Sequence, residues 1–253
     1  MNAKSIRAVI LAGGIGSRLQ TVVNDRPKVM APIGGRPFIT YLFDQLLAAK
    51  FRAVTLSTGY MSDYIEKKLG HGYLGHGHKD LQIDYSRETN ALGTGGALRL
   101  ALEQCERGAS SDDDFDSILV MNGDSYLDID IVEYLIWFRA KKYANALVLN
   151  CVENTARFGT VTVSDQEEII SFREKTGMEV AGVINAGIYL LSRCALLSLP
   201  LNKNFSLEKD VFPTLTNQKK LHGFISSSRF IDIGIPEDYA KARTFFNPKS
   251  AQS

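Results

Sequence analysis

The stretch RAVILAGGIGSRL, Arg7 to Leu19, sends an apolar run straight into Gly13, Gly14 and Gly16, followed by Ser17 and Arg18. A glycine turn after a strand exposes backbone N–H groups that can point at phosphate oxygens with no side chain in the way. Ten residues past Arg18, Lys28 stands in DRPKVMAPIGGRPF, in a loop stiffened by Pro27 and Pro32. An arginine and a held lysine beside such a turn make a local cationic site. The acidic counterpart lies far along the chain. SILVMNGDSYLDID puts Asn122, Gly123 and Asp124 where an apolar strand ends, and ligands of parallel α/β sheets collect at strand carboxyl ends. Asp232 repeats the arrangement in SSRFIDIGIPEDY, ahead of Gly234 and Pro236. Two aspartates from distant strand ends suit Mg²⁺, which takes one or two carboxylates and completes its shell with phosphate and water. Singly, each feature has a plainer explanation: a tight turn, a solvated lysine, a capping aspartate. Their co-occurrence points to a site.

Two familiar phosphate motifs do not fit. A Walker loop needs G-x-x-x-x-G-K-[ST], and no such string occurs. A dinucleotide fingerprint counted from Gly14 reaches Gly16 and then Leu19 where the third glycine belongs. This disfavours a dinucleotide-dependent oxidoreductase. The histidines of HGYLGHGHKD, His71, His76 and His78, lie in a glycine-rich stretch that reads as a solvated loop rather than a metal site. The acidic run SSDDDFD reads the same way. Trp137, Tyr134 and Phe138 sit at helical spacing and read as core.

The elements that must carry these residues follow from periodicity. AVILAGG, AVTLSTGY, LQIDYSRE and SILVMNGD read as strands. RPFITYLFDQLLAAK (Arg36 to Lys50), SDYIEKKLG, GTGGALRLALEQC and DIDIVEYLIWFRAKK read as helices between and after them. Ser62 is the expected cap of the second helix and Gly70 its stop. Strand and helix in alternation predict a mostly parallel sheet with helices on its faces. The second half turns strand-rich through ANALVLNCVE, GTVTVSD, EIISFRE, VINAGIYLLS and LHGFISSSRFIDIG. It is expected to extend the sheet and add hairpins over one side of a pocket. One α/β domain over residues 1–246 is expected, a nucleotide half to about residue 125 and an acceptor half after it, with a flexible tail at 247–253.

Composition narrows the function class. The 253 residues can bury a large core, and 45% hydrophobic with 23% charged residues is ordinary for a soluble globular protein. A net charge of +1 supplies no field drawing the chain to nucleic acid or membrane, so any anion site is local. Cys105, Cys151 and Cys194 are odd in number and widely separated. That excludes a zinc-type cluster, argues against a disulfide framework, and fits a cytoplasmic location. No stretch approaches the ~20 apolar residues of a membrane span.

Taken together, Gly13 to Lys28, Asp124 and Asp232 resemble the sugar-nucleotide pyrophosphorylases, the sugar-1-phosphate nucleotidyltransferases. ETNALGTGGAL, NGD, FREK, NAGIY and DIGIPEDY occur in family order, so the likeness spans nearly the whole chain. It is greatest to guanylyltransferases acting on a heptose 1-phosphate. The resemblance implies a three-layer αβα Rossmann-like fold with a predominantly parallel mixed sheet and a small β-hairpin region over the sugar site. It implies that Leu11, Ala12, Gly13, Gly14, Gly16 and Ser17 wrap base and phosphates, with Asn122 and Gly123 beside them. Arg18 and Lys28 would neutralise the triphosphate, and Asp124 and Asp232 would bind Mg²⁺. Lys175 would hold the sugar phosphate; Gly159, Asn185, Gly187 and Glu208 would face the sugar. Glu88 could accept from guanine, with Gly93 and Thr94 approaching the base by backbone. The implied partners are a nucleoside triphosphate, GTP favoured, and a sugar 1-phosphate; a homo-oligomer is possible. Rivals are a mannose-1-phosphate guanylyltransferase, a UTP-dependent uridylyltransferase for glucose or N-acetylmuramate 1-phosphate, and a non-catalytic sensor of the same fold.

Overall fold

The computed structural model describes residues 5–75, 80–107, 115–173 and 177–246. His76, His78, Lys175 and the tail after Phe246 lie outside them. In chain order the first half carries β1 (Ser5–Leu11), two-residue strands β2 (Pro32–Ile33) and β3 (Arg36–Pro37), α1 (Ile39–Ala48), β4 (Ala53–Thr58), α2 (Ser62–Leu69), β5 (Gly72–Leu74), β6 (Asp80–Arg87), α3 (Gly93–Arg107), β7 (Phe115–Asn122), β8 (Ser125–Leu127) and α4 (Ile131–Lys141). The second half adds β9 (Asn145–Val152), β10 (Thr160–Val163), β11 (Ile169–Arg173), β12 (Gly182–Ser192), α5 (Arg193–Leu197), a π-helical turn (Leu207–Val211), α6 (Phe212–Asn217), β13 (His222–Ser226), β14 (Phe230–Asp232) and α7 (Pro236–Phe246).

The first half carries a run of parallel strands in the order β7-β1-β4-β6. Its strands are near-continuous apolar runs because helices bury both faces. Alternate residues choose the face. Ala8 and Ile10 of β1 join Leu42 and Leu46 of α1, Ile65 of α2 and Phe138 of α4 on one side. Val9 joins Leu98 and Ala101 of α3, Leu196 of α5 and Leu215 of α6 on the other. This is the expected three-layer arrangement. β12 pairs antiparallel with β7 and β10 along one edge and with β9 along the other, so the second half of the chain grows from the same sheet.

A third cluster fixes the segment that follows the glycine loop. Leu19, Val23, Ala31, Ile33 and Phe38 pack on Ile231, Ile233, Tyr239 and Ala242. The Tyr239 hydroxyl donates to the Pro32 carbonyl at 2.8 Å, and the Phe246 ring stacks on Tyr41 at 3.8 Å between centroids. The C-terminal helix thereby holds the Lys28 loop.

Local expectations needed correction in three places. The helix expected from Arg36 begins at Ile39, because Gly34 and Gly35 take positive φ and turn Arg36–Pro37 back onto Pro32–Ile33. Ser62 does not cap α2: Met61 occupies the cap position at φ 52, without a side-chain cap bond. LHGFISSSRFIDIG forms two strands in different sheets, β13 beside β9 and β14 beside β8. Gly70 does end α2, at φ 63. Tyr134 and Phe138 are buried core, with Trp137 packed against it, and the three cysteines are free thiols. Among the described residues no helix is long and apolar enough to cross a membrane.

Phe38 is fully buried at the centre of the third cluster. Phe38→Ala is expected to cost about 3–5 kcal/mol in urea unfolding, and Tyr239→Phe about 0.5–1.5 kcal/mol. Equal, near-zero effects would show that the C-terminal helix does not clamp this segment.

Candidate active site

A cleft of about 730 Å³ opens at the carboxyl ends of β1, β4, β6 and β7. The loop Leu11–Ser17 forms one lip. Its start is pinned: Ala12 N–H donates to the Ser57 carbonyl at 2.7 Å and Tyr60 N–H to the Gly13 carbonyl at 3.2 Å. Its tip, with Gly14, Ile15, Ser17 and Arg18, is exposed. Gly16 has φ +65, and a Cβ there would lie 3.0 Å from the Lys28 Cβ. Glycine lets the loop rest on the lysine stem. Pro27 accepts from Met30 N–H and closes a short 3₁₀ turn that starts at Lys28. From there the lysine ammonium pairs with Asp124.

Asp124 and Asp232 are brought together by a two-stranded ribbon. β8 pairs with β14, Asp232 opposite Ser125, and Ile233 N–H donates to the Asp124 carbonyl at 2.9 Å. Burial pushes the pKa of Asp232 up, and the Asp124 charge pushes it further; the Gly234 N–H, Lys28 and Arg157 act the other way. That N–H donates to Asp232 Oδ1 at 2.6 Å. A Cβ on Gly234 would lie 3.7 Å from Arg18 Nη2, so the arginine reaches the same turn. Arg18, Lys28, Asp124 and Asp232 therefore converge, as their types suggested. Among the described residues no group of three or more His, Cys, Asp or Glu is placed to hold a metal ion. Two carboxylates in mutual repulsion fit a hard divalent cation that takes its remaining ligands from phosphate and water.

The opposite wall is formed by the residues that follow β6. Glu88 follows β6 and lines the cleft. Burial raises its pKa, and its Oε2 accepts from Leu92 N–H at 3.0 Å. A Cβ on Gly13 would fall 2.4 Å from Oε1, so the carboxylate lies directly against the glycine loop. Gly93 and Thr94 line the same wall at the start of α3. The Ser57 hydroxyl, also in the cleft, is buried with no hydrogen-bond partner among the described residues. Sequence reasoning passed over Ser57, Gly59 and Tyr60, although LSTGY ends a parallel strand where ligand contacts are expected.

Beside the cleft, a polar network is organised by a residue not singled out from sequence, Tyr189. Its fully buried hydroxyl donates to Glu208 Oε1 at 3.4 Å and accepts from the Nδ2 atoms of Asn122 at 3.3 Å and Asn185 at 3.2 Å. Burial, then the Glu208 charge, holds this phenol protonated far above its ordinary range. Glu208 also accepts from Thr94 Oγ1 and Ser206 Oγ, both at 2.8 Å. Gly187 bulges β12 at φ +79, its N–H on Asn185 Oδ1 at 2.9 Å; a Cβ would strike Asn122. The bulge lets β12 press against the end of β7. Gly123, at that same end, donates its N–H to the Leu11 carbonyl at 2.9 Å. Gly159 is exposed and lies against the Arg173 carbonyl, outside the nucleotide cleft. Arg157, another residue sequence did not flag, pairs with Asp238 of α7.

A glycine loop, a cation pair and an acidic pair at the strand ends of a three-layer sheet are the working parts of a nucleotidyl-transferring fold. Residues 7–248 match the nucleotidyl transferase family, and the chain belongs to that family. It is 37% identical over 238 residues to the D-glycero-alpha-D-manno-heptose 1-phosphate guanylyltransferase of Aneurinibacillus thermoaerophilus, covering 94% of this chain and 97% of that one. The protein of the same description from Campylobacter jejuni is 35% identical over 236 residues, 92% of this chain and 97% of that one. HddC from Yersinia pseudotuberculosis has the same fold, with a TM-score of 0.79 at 33% identity over 96% of this chain and 100% of that chain. HddC has also been solved in complex with GMP-PN.

The raised pKa of Asp232 has a consequence for stability. Its folded value lies above the unfolded 3.8, so its contribution favours the fold below that pH and is lost as pH rises through the folded value. Where it is ionised, the carboxylate opposes folding. Asp232→Asn keeps an oxygen for the Gly234 N–H. It is expected to raise the metal-free Tm at pH ~7 by roughly 2–4 °C per kcal/mol relieved, with the gain shrinking toward pH ~4. Thermal melts across this range check it; a lower Tm at neutral pH would contradict the repulsion.

Proposed function

We propose that the chain transfers a guanylyl group from GTP to a sugar 1-phosphate, D-glycero-alpha-D-manno-heptose 1-phosphate being the favoured acceptor, and releases pyrophosphate. The observation that carries this is the convergence of Lys28 and Asp124, which line a glycine-rich cleft, with Asp232 and Arg18 beside them. The full-length likeness to heptose 1-phosphate guanylyltransferases supports the choice of acceptor. The GMP-PN complex of HddC supports the guanine nucleotide. Glu88, buried against the loop, is the residue we assign to the N1 and N2 donors of guanine.

A phosphate monoester with a second pKa near ~6 is mostly dianionic at neutral pH. The acceptor is already charged and needs no general base. Its oxygen forms a bond to the α-phosphorus while the bond from that phosphorus to the bridging oxygen of pyrophosphate breaks in line. The obstacle is the approach of two polyanions. Lys28, Arg18 and the N–H groups of the Gly13–Ser17 loop are assigned to the triphosphate, where fixed donors stabilise charge on the transferring group. Asn185, Gly187 and Glu208, ordered around Tyr189, are assigned to the acceptor with Gly159 and Lys175. Asp124 and Asp232 would hold Mg²⁺, which supplies Lewis-acid neutralisation of the phosphates when bound. Free thiols and the neutral surface fit a cytoplasmic enzyme.

Pyrophosphate release with each common triphosphate, crossed against a panel of sugar 1-phosphates, tests the proposal. GTP with a manno-configured heptose 1-phosphate is expected to be the best pair. Lys28→Ala is expected to lower kcat ~100–1000-fold, the loss typical of one transition-state donor, with an unchanged circular dichroism spectrum. Turnover with UTP or CTP but not GTP would overturn the guanylyl assignment, and binding without release for every pair would leave a sensor.

A further inference from the structure

The nucleotide cleft shares a wall with a second cavity. This one measures about 850 Å³ and lies among α5, α6 and the segment Lys203 to Val211. Its walls are apolar, with Leu191, Leu196, Leu199, Phe205, Val211 and Leu215. Most of the polar atoms at its rim are committed. Asn145 binds the Lys220 carbonyl and the Ser192 N–H. Asn204 donates to the Ala91 carbonyl at 2.7 Å. Asp210 Oδ2 accepts from Ser206 N–H at 2.7 Å, and Thr214 Oγ1 donates to the Asp210 carbonyl at 3.0 Å. The ammonium groups of Lys203 and Lys220, which also line the cavity, have no ion-pair partner among the described residues. With Lys203 and Lys220 against the single carboxylate of Asp210, the rim carries net positive charge, and an apolar chamber of that kind is complementary to an anion with an apolar body.

The shared wall is thin and without slack. Phe205 exchanges backbone bonds with the turn that opens α3: its carbonyl accepts from Gly95 N–H and its N–H donates to the Leu92 carbonyl, both at 3.0 Å. Leu207 N–H donates to Thr94 Oγ1 at 2.9 Å. A Cβ on Gly95 would lie 2.3 Å from the Phe205 ring, and one on Gly96 2.1 Å from the Lys203 carbonyl oxygen. Ala91, Gly93 and Thr94 face the nucleotide cleft from the other side of this contact. Displacing Lys203–Phe205 outward from the second cavity therefore drives the start of α3 into the first.

We propose that the second cavity is a ligand site for a small amphipathic anion, one acidic group on an apolar body, whose occupancy weakens nucleotide binding through the shared wall. The site itself does not depend on the guanylyltransferase assignment; only the choice of GTP to read the coupling does.

The probe is 8-anilinonaphthalene-1-sulfonate, titrated by fluorescence into the full chain. Saturable one-to-one binding is expected. Ala195→Trp, which fills the cavity, and the pair Lys203→Glu with Lys220→Glu are each expected to weaken it at least ~10-fold, and the lysine pair to leave GTP affinity without the probe unchanged. In the wild type, saturating probe is expected to raise the Kd for GTP by about 5-fold or more and then to reach a plateau. By linkage, GTP must raise the probe's Kd by the same factor. No saturable binding, binding that both variants leave intact, an unchanged Kd for GTP, or a Kd that climbs without plateau would each overturn the proposal. The last would place the probe in the nucleotide cleft. If GTP does not bind the wild type, the guanine assignment fails by itself, and the coupling is read with whichever triphosphate binds.

Discussion

The structure is arranged around two carboxylates that repel each other. Asp124 and Asp232 come from sequence-distant strands, and burial together with the neighbouring charge raises the pKa of Asp232. Nothing in the free chain favours that pairing for its own sake. It persists because backbone geometry imposes it: β8 and β14 form a short antiparallel ribbon that brings both aspartates to the same end of its register, Asp232 opposite Ser125. Lys28 offsets the repulsion from within the glycine loop's own footing. Bringing two carboxylates together under burial is costly, and the Lys28 ammonium offsets only part of that cost.

The remaining architecture holds this pair and presents substrates to it. The parallel half of the sheet supplies strand ends to the cleft, and α3, α5 and α6 back it on one face. The C-terminal helix clamps the segment between the glycine loop and α1. Tyr189 joins the halves. One phenol binds Asn122 in the cleft, Asn185 on β12 and Glu208 on the π-helical turn, and Glu208 returns to Thr94 at the cleft. A fully satisfied polar network of this kind fixes orientation, where a partly satisfied one would loosen it. The π-turn fits that role, since such turns often accompany functional sites.

Much of this was legible in the sequence, and the limits have physical causes. The glycine loop, Lys28 and the two aspartates announce themselves locally, because strand-end glycines and acids are rare in apolar runs without a ligand to serve. The alternation of strand and helix in the first half follows from 3.6 and 2.0 periodicities. The ribbon that unites Asp124 with Asp232 does not, since two three-residue strands carry too little pattern. Tyr189 is indistinguishable in sequence from any core aromatic on a buried strand; only the three partners around its hydroxyl set it apart. The helices α5 and α6, of five and six residues, are too short for a helical period to declare itself. Arg157 gains meaning only from Asp238, which lies across the fold.

The central claim is that Asp124 and Asp232 act as one cation site for a nucleotide lying on the glycine loop. Mn²⁺ binding to the complex with a non-hydrolysable GTP analogue, followed by electron paramagnetic resonance, measures this directly. In wild-type protein the analogue should create a tight Mn²⁺ site that Mg²⁺ displaces. Asp124→Asn and Asp232→Asn should each weaken it at least ~10-fold, the lower end of the loss typical when a metal site loses a supporting group, and the double variant should be little worse than either. Undiminished Mn²⁺ affinity in either variant would contradict the account.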